Sequence, residues 1–471
     1  MKCNISEARA QSLLAQFMVA RLIHCPEDRT RDSPAQNVPL QPTAKGVYVL
    51  SQYLQANSAP GEKKHAAALL SSNHNTMACI SLARDSNDAI QTSKYLTLLL
   101  FQRLAGKYPN VYTANDIGDL PDGKASPYHH RYFTHPDSDA VTQYYVSRVG
   151  VRLLEASVDG HTVYYFSGKA VWQWVMECCE VVSGVEIVDI LQEFLSAGFI
   201  QHFDPEFRDS EAPKEFVCSK TAKYTFTVSG MSVAGWTSNL PTTPLSSGFP
   251  KFVKSRVLHG VELTKDDLVE LQEIEHETNT TLDAKTGRPV DVTSDVDIEA
   301  SRKSREQRLL GFKHENPSLT VILQDPGLTM LFKGYLEDTH CVENHVVYVS
   351  TSEAIKCYAE VSQQVSHDSL VSLLTLIYST YDSYLSPQAP KEFNMISTWR
   401  DELCQLTERL RGASTVPESL VLVTEIVRIF ELIKNHAFRM MEIDSLPRFL
   451  ECREYRRCLR TFRWLERDKY V

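Results

Sequence analysis

The feature that most restricts this chain is a stretch that cannot build a core. From about Thr237 to Lys313 the sequence runs through NLPTTPLSSGFPK, HETNTTLDAKTGRPVDVTSDVD and SRKSREQR, polar and rich in Pro and Thr. No apolar period is sustained there, so there is little apolar surface to offset the entropy of ordering it, and the stretch reads as a linker. Only VELTKDDLVELQEI carries a short helical period within it. A linker in that place is expected to lie between folded blocks on either side. At 471 residues, 43% hydrophobic and 23% charged, there is chain enough for about three domains of ordinary size.

The formal net charge of −10 argues against a general nucleic-acid binder, because neutralising phosphates needs a basic face. Eleven cysteines are scattered, with one adjacent pair at Cys178 and Cys179 and no CxxC. That pattern suggests neither a zinc ribbon nor a disulfide scaffold, and fits a reducing compartment. The first run, ISEARAQSLLAQFMVARLIHC, spaces apolar residues at Ile5, Ala8, Leu13, Phe17 and at Leu14, Met18, which reads as an amphipathic helix. Glu7, Arg9 and Arg21 interrupt it, so it reads as neither a signal peptide nor a membrane span. No lipid-anchor motif is readable, so a partner is expected to bring the chain to any membrane it reaches.

Residues 41–155 and 160–228 read as two folded blocks rich in helix. In the second, GKAVWQWVMECC predicts one helix and EIVDILQEFLSAGFI another, with Ile187, Ile190, Leu191, Phe194 and Leu195 on its buried face. KEFVCS and KYTFTV read as two strands, which completes a winged-helix pattern. A DNA-reading winged helix needs cations on its second helix, and this one carries Glu186, Asp189 and Glu193. A protein-binding role is therefore preferred.

Three stretches stand apart in the third block, residues 314–465. LTVILQDPGLTMLFKGYLEDTHCVENHVVYV turns at Asp325-Pro326 and then spaces Leu328, Phe332 and Leu336 as a helix face. IYSTYDSYLSPQAPKEFNMI ends its helix at Ser386-Pro387 and leaves Asn394 beyond the break. MMEIDSLPRFLECREY places Asp444-Ser445 between two helical runs, where the Ser445 hydroxyl is expected to cap a new helix and Pro447 to sit in its first turn. Each has a plain alternative: a cap at Ser445, a solvated helix start at Glu343-Asn344, a turn at Asn394.

The run from Phe166 to Phe226, with Trp172, Trp174, the Leu195–Ile200 helix end and the closing Tyr224-Thr-Phe226, resembles a DEP domain. LQPTAKGVYVLSQYLQAN with FQRLAGKYPN resembles the first of the tandem DEP-like modules of fungal regulators of G-protein signalling. DPGLTMLFKGYL, Glu343-Asn344, APKEFN and MEIDSLPRFLECREY, in that order, resemble the motifs of the RGS domain. The chain is thus similar to the fungal DEP-RGS regulators, which desensitise pheromone or nutrient receptor signalling.

That resemblance implies a mainly α, multidomain chain: tandem winged-helix, DEP-like α+β modules followed by an all-α RGS bundle. The expected divisions are an amphipathic segment at 1–38, a first DEP-like module at 39–155, a DEP domain at 156–235, a linker at 236–313, the RGS domain at 314–465 and a tail at 466–471. It further implies a cytoplasmic GTPase-activating protein, recruited to the plasma membrane's inner face, with no catalytic residue, metal or cofactor of its own. Its partners would be a GTP-bound G-alpha subunit, a receptor's cytoplasmic tail and an anionic membrane surface, and no nucleic acid. By the same resemblance, Glu343, Asn344, Asn394, Asp444, Ser445 and Arg448 contact the G-alpha switch segments, with Arg448 bracing Asp444. The alternative is a scaffold that binds G-alpha or receptor without activating hydrolysis.

The chain departs from that family at His345, where an aliphatic residue is usual, and at Val347. His345 is expected to be a hydrogen-bonded structural histidine, since a buried polar ring costs stability otherwise. The three histidines of YHHRYFTH (128–135) lack metal-ligand spacing, Asn279-Thr-Thr281 reads as a chance glycosylation match, and Arg302-Lys-Ser-Arg305 as a solvated linker face. CREYRRCLRTFRWLERDKY is expected to pack its apolar side on the bundle and keep its cations in water.

Overall fold

The computed structural model describes residues 5–35, 37–57, 79–85, 87–112, 135–139, 149–158, 161–203, 214–236, 317–363, 366–389, 392–413 and 415–467. The expected linker, Asn279, the Arg302–Arg305 run and His129 and His130 lie outside them. His135 is described, and its Nδ1 accepts from the Asp137 amide.

Helix α1 (Glu7–Val19) starts on Ser6, whose hydroxyl accepts from the Arg9 amide. Of its expected apolar positions Met18 is buried and Leu14 half-buried, while Ile5, Leu13 and Phe17 are exposed, so only part of that set is covered. Strands β1 (Ile23–His24) and β2 (Gln41–Pro42) pair antiparallel and lead to α2 (Ala44–Asn57). There Lys45 is buried, its Nζ donating to the Met176 and Val181 carbonyls at 2.7 and 2.5 Å. Helix α3 (Lys94–Ala105) is capped by Ser93 and buries Leu96, Leu98, Leu99, Leu100, Phe101, Leu104 and Ala105, nearly its whole circumference. A helix apolar all round must have neighbours on all sides, and α3 does.

On one side it meets a five-stranded sheet made of β3 (Asn110–Val111), β4 (Arg152–Val158), β5 (His161–Ser167), β6 (Ile200–His202) and β7 (Lys223–Phe226), in the order β3-β4-β5-β7-β6. Only the β3–β4 pair is parallel. β4 runs through residue 155, where one module was expected to hand over to the next. Two helices follow β5: α4 (Gly168–Cys178), and α5 (Gly184–Ser196), which opens on a capping box between Ser183 and Glu186. Ile187, Ile190, Leu191 and Phe194 are buried on α5 as its period requires, while Leu195 lies at the edge. Phe101 of α3 meets Phe194, Phe199 and Phe226 at centroid distances of 5.5, 4.7 and 5.5 Å. Helix α6 (Val228–Ala234) closes this part.

KYTF is β7 as expected, but KEFVCS is not a strand. Its amides are satisfied by side chains instead: Phe216 N donates to Gln192 Oε1 at 2.7 Å and Val217 N to the Tyr224 hydroxyl at 2.7 Å. Besides β5, β7 pairs with the short run Ile200–His202 just after α5, with Ile200 opposite Phe226.

After residue 316 the chain is helical: α7 (Leu319–Gln324), α8 (Pro326–Asp338), α9 (Val342–Gln363), α10 (His367–Thr380), α11 (Ser397–Gly412), α12 (Val416–Met440), α13 (Leu446–Glu451) and α14 (Arg453–Arg467). The turn at Asp325-Pro326 forms as read, with Leu328, Phe332 and Leu336 buried. Two cores result. The larger joins α9 to α12 around Val347, Ala354, Ile426, Phe430 and Ile433, with α10 and α11 on its flanks through Leu373, Ile377, Leu403 and Leu406. The smaller gathers Leu319, Phe332, Leu336, Met441, Phe449 and Tyr455 from α7, α8 and the last helices. Each fully buried large side chain there contributes roughly 1.5–3 kcal/mol, which fixes the helices' relative position. Among the described residues no helix is long and apolar enough to cross a membrane.

Candidate functional site

The Asp444 corner is not a helix start. Ser445 has φ −80° and ψ −43°, helical angles, and its hydroxyl makes no capping bond. The chain passes from α12 to α13 through a π-helical turn, Met441–Ser445, in which the Leu446 amide reaches back to the Met441 carbonyl. Proline explains it: Pro447 has no N–H, and its ring crowds the carbonyl four residues before, so the helix widens by one residue instead of ending. A second π turn, Tyr381–Leu385, ends α10 just before Pro387, with the Ser386 amide reaching the Tyr381 carbonyl.

Widening turns a polar edge outward. Ile443 and Asp444 are exposed, while Met441 and Ser445 are buried, and Ser445 keeps only 5% of its surface. The Asp444 carboxylate pairs with Arg448 at 2.8 Å, one turn on, as expected. Both side chains are more than half exposed, so the pair holds a geometry more than it stabilises the fold. Tyr335, at the far end of α8, was not singled out in the sequence. Its ring meets Phe449 at 5.7 Å, which places α8's end against the corner, and burial raises its hydroxyl's pKa while Arg448 pulls the other way. Its signal was legible as the residue three past Phe332 on the helix face.

Asn394 is exposed on an extended segment between the second π turn and α11. Phe393 before it is fully buried, its amide donating to the Tyr384 carbonyl at 2.9 Å and its carbonyl accepting from Arg400 at 2.9 Å. The Phe393 ring meets His436 of α12 edge to face at 6.0 Å.

At the third place, α9 begins with Glu343 half-buried, then Asn344 and His345, each 8% exposed. Asn344 thus offers a partner little surface. His345 Nδ1 has no hydrogen-bond partner, contrary to the expectation of a satisfied histidine. Burial, helped by Lys333, lowers its pKa to about 4, so the ring is neutral near pH 7.

The three places share one support. Cys341 and Val342, just before Glu343, pack in the same core as Met441 and Leu446, Tyr348 meets Phe438 at 5.8 Å, and Phe393 meets His436. Glu343, Asn394 and Asp444 are therefore carried by segments that all seat on the last turns of α12. Of the six residues from the sequence, Asn394, Asp444 and Arg448 stand in solvent, Glu343 partly so, and Asn344 and Ser445 turn inward. No group of three or more His, Cys, Asp or Glu among the described residues is placed to hold a metal ion. The site offers hydrogen-bonding and charged side chains at fixed positions on an otherwise helical surface, which suits binding rather than covalent chemistry.

Residues 318–458 match the family described as Regulator of G protein signaling domain. Residues 1–72 match the Fungal-differentiation regulator winged helix domain. The chain is 25% identical over 464 aligned positions to Developmental regulator flbA of Emericella nidulans, covering 96% of this chain and 53% of that relative. It spans about half the length of the relative it matches.

Proposed function

We propose that this chain, which carries a winged-helix domain and, behind it, a helical RGS domain, regulates heterotrimeric G-protein signalling by holding the switch segments of a GTP-bound G-alpha subunit. G-alpha carries its own catalytic arginine and a glutamine that orients the attacking water, so an activator supplies no reacting group. It lowers the barrier by binding the switch segments in the arrangement they take in the transition state.

The observation that carries this reading is the π-turn corner, which sets the Asp444–Arg448 pair in solvent on the same helix end that supports Asn394 and Glu343. In this reading Asp444 accepts from backbone amides of the first switch while Arg448 fixes its carboxylate. Asn394 reaches the G-alpha glutamine, Glu343 binds a neighbouring switch residue, and Asn344 and Ser445 act mainly by shaping the surface from beneath. The modules at 39–155 and 156–235 are read as DEP-like, binding a receptor tail at the membrane's inner face and raising the local concentration of the activator there.

Single-turnover GTP hydrolysis by a panel of G-alpha subunits, with and without the full chain, tests the reading. Acceleration that falls by about tenfold or more in Asn394→Ala and in Asp444→Ala is expected, the loss of one transition-state contact each. A second reading, a scaffold that binds G-alpha without activating it, draws on the inward-facing Asn344 and on His345, whose Nδ1 lacks a partner, at the start of α9. Binding without acceleration of any subunit would select it.

A further inference from the structure

The smaller core of the helical domain has a neighbour outside that domain. α3, far away in sequence, lies along α8 and α14, and the contact is made at the first turns of α3 and α8. Ser93 caps α3, accepting from the Leu96 amide at 3.1 Å, and Asp325 caps α8, accepting from the Gly327 and Leu328 amides at 2.8 and 2.9 Å. The two caps are bonded to each other: the Ser93 hydroxyl donates to Asp325 Oδ1 at 3.0 Å. Each side chain so completes its own helix and the other's cap.

Three further features fit this contact. Gly327 lies so close to α3 that a Cβ there would come within 2.2 Å of the Leu96 nitrogen, a backbone atom that cannot swing aside. A glycine inside a helix costs about 1 kcal/mol against alanine, so the close approach explains a residue the helix alone would disfavour. Tyr95 stacks on Phe462 of α14, with centroids 4.3 Å apart and planes 17° from parallel. Gly235, at positive φ past the end of α6, leaves room for the Arg457 guanidinium, which a Cβ would meet at 2.6 Å.

We propose that α3 is an intramolecular docking surface for the RGS domain: the N-terminal part clasps α8 and α14 through Ser93, Tyr95, Asp325, Gly327 and Phe462, and so holds the corner at 441–448 in place. α8 is the link, because its other end carries Phe332 and Tyr335, which meet Phe449 beyond the corner at 5.0 and 5.7 Å. The occupant of this face is a named segment of the same chain, and the inference stands whether or not G-alpha is the partner of the corner.

The test uses the full chain with a site for a sequence-specific protease inserted between residues 251 and 316. After cutting, the two parts are expected to travel together in size-exclusion chromatography. Ser93→Asp keeps a competent cap on α3 but sets two carboxylates against each other, and is expected to weaken the association of the parts about tenfold or more. The exchange Ser93→Asp with Asp325→Ser restores one donor and one carboxylate, with both helices capped, and is expected to recover the association. Gly327→Ala is expected to weaken it independently through the backbone clash. In the uncut chain, peptide-resolved hydrogen exchange over residues 441–451 should quicken in Ser93→Asp and slow again in the exchange. Separation of the unaltered parts on cutting, or a Ser93→Asp defect that the exchange fails to repair, overturns the proposal.

Discussion

Replacing His345 by leucine should make the helical domain more stable and less sensitive to acid. The ring is 8% exposed, its Nδ1 lacks a partner, and its pKa is lowered to about 4 from the ordinary 6.5. An unsatisfied buried polar atom costs about 1–3 kcal/mol, so at pH 7 His345→Leu is expected to stabilise by about that amount, less any strain from leucine's shape. The acid effect adds to this. Between pH 6.5 and 4 the unfolded chain takes up a proton at this ring and the folded chain does not, so native stability falls as pH falls across that window. Each pH unit crossed there removes about 1.36 kcal/mol, and by pH 4 the loss reaches about 3 kcal/mol.

His24 in the N-terminal part is also lowered to about 4 by burial and by Arg29 and Arg21, so a whole-chain melt would mix the two rings. The assay is therefore a urea series at pH 7, 5.5 and 4.5 read by peptide-resolved hydrogen exchange over residues 342–363. The difference between wild type and variant should widen steadily as pH drops. A constant difference, or a variant less stable than wild type at every pH, would show that the ring finds compensation in the folded chain and would refute the reasoning.

Pro447→Ala should let the π turn relax toward α-helix, leaving stability unchanged or higher while reducing any effect on G-alpha hydrolysis, read by circular dichroism and single-turnover assay. Lys45 is buried with its pKa lowered to about 8, so wild-type stability should rise as pH climbs from about 8 toward 10.5, where the unfolded chain holds the proton that the folded one has lost. Lys45→Met, measured by urea denaturation at pH 7 and 10, should flatten that rise. It should also lose stability at pH 10, where two carbonyls are left without the amine. Gly168→Ala would drive a Cβ to 2.1 Å from the Val217 carbonyl oxygen, and a loss of about 3 kcal/mol or more is expected in the melt.

Much of the helical domain was legible because its signals are local. A cap such as Asp325 before Pro326, or Ser183 with Glu186 three residues on, acts within one turn, so composition and spacing predict it. The ordered motifs from DPGLTMLF to MEIDSLPRFL likewise named the domain that residues 318–458 carry. The same local logic failed at Ser445, where Asp-Ser-Leu-Pro reads as a cap and the chain makes a widened turn. Met441 and Phe449, held together in the smaller core, keep the two helical runs continuous.

Which way a polar side chain faces was decided only by the tertiary fold. Asn344 turns inward, the ring of His345 is enclosed without a partner for Nδ1, and on α1 Met18 is buried while Ile5, Leu13 and Phe17 stay exposed, because each outcome depends on elements that arrive from elsewhere in the chain. KEFVCS lost its place in the sheet to Ile200–His202 for the same reason: side chains of α5 and β7, Gln192 and Tyr224, already satisfied the Phe216 and Val217 amides. The sequence alone determined most of the helices and caps on either side of the polar stretch, since these follow from interactions within a few residues. The meeting of Ser93 with Asp325, and the need for Gly327 between them, exists only once two segments separated by that stretch are brought within hydrogen-bond reach.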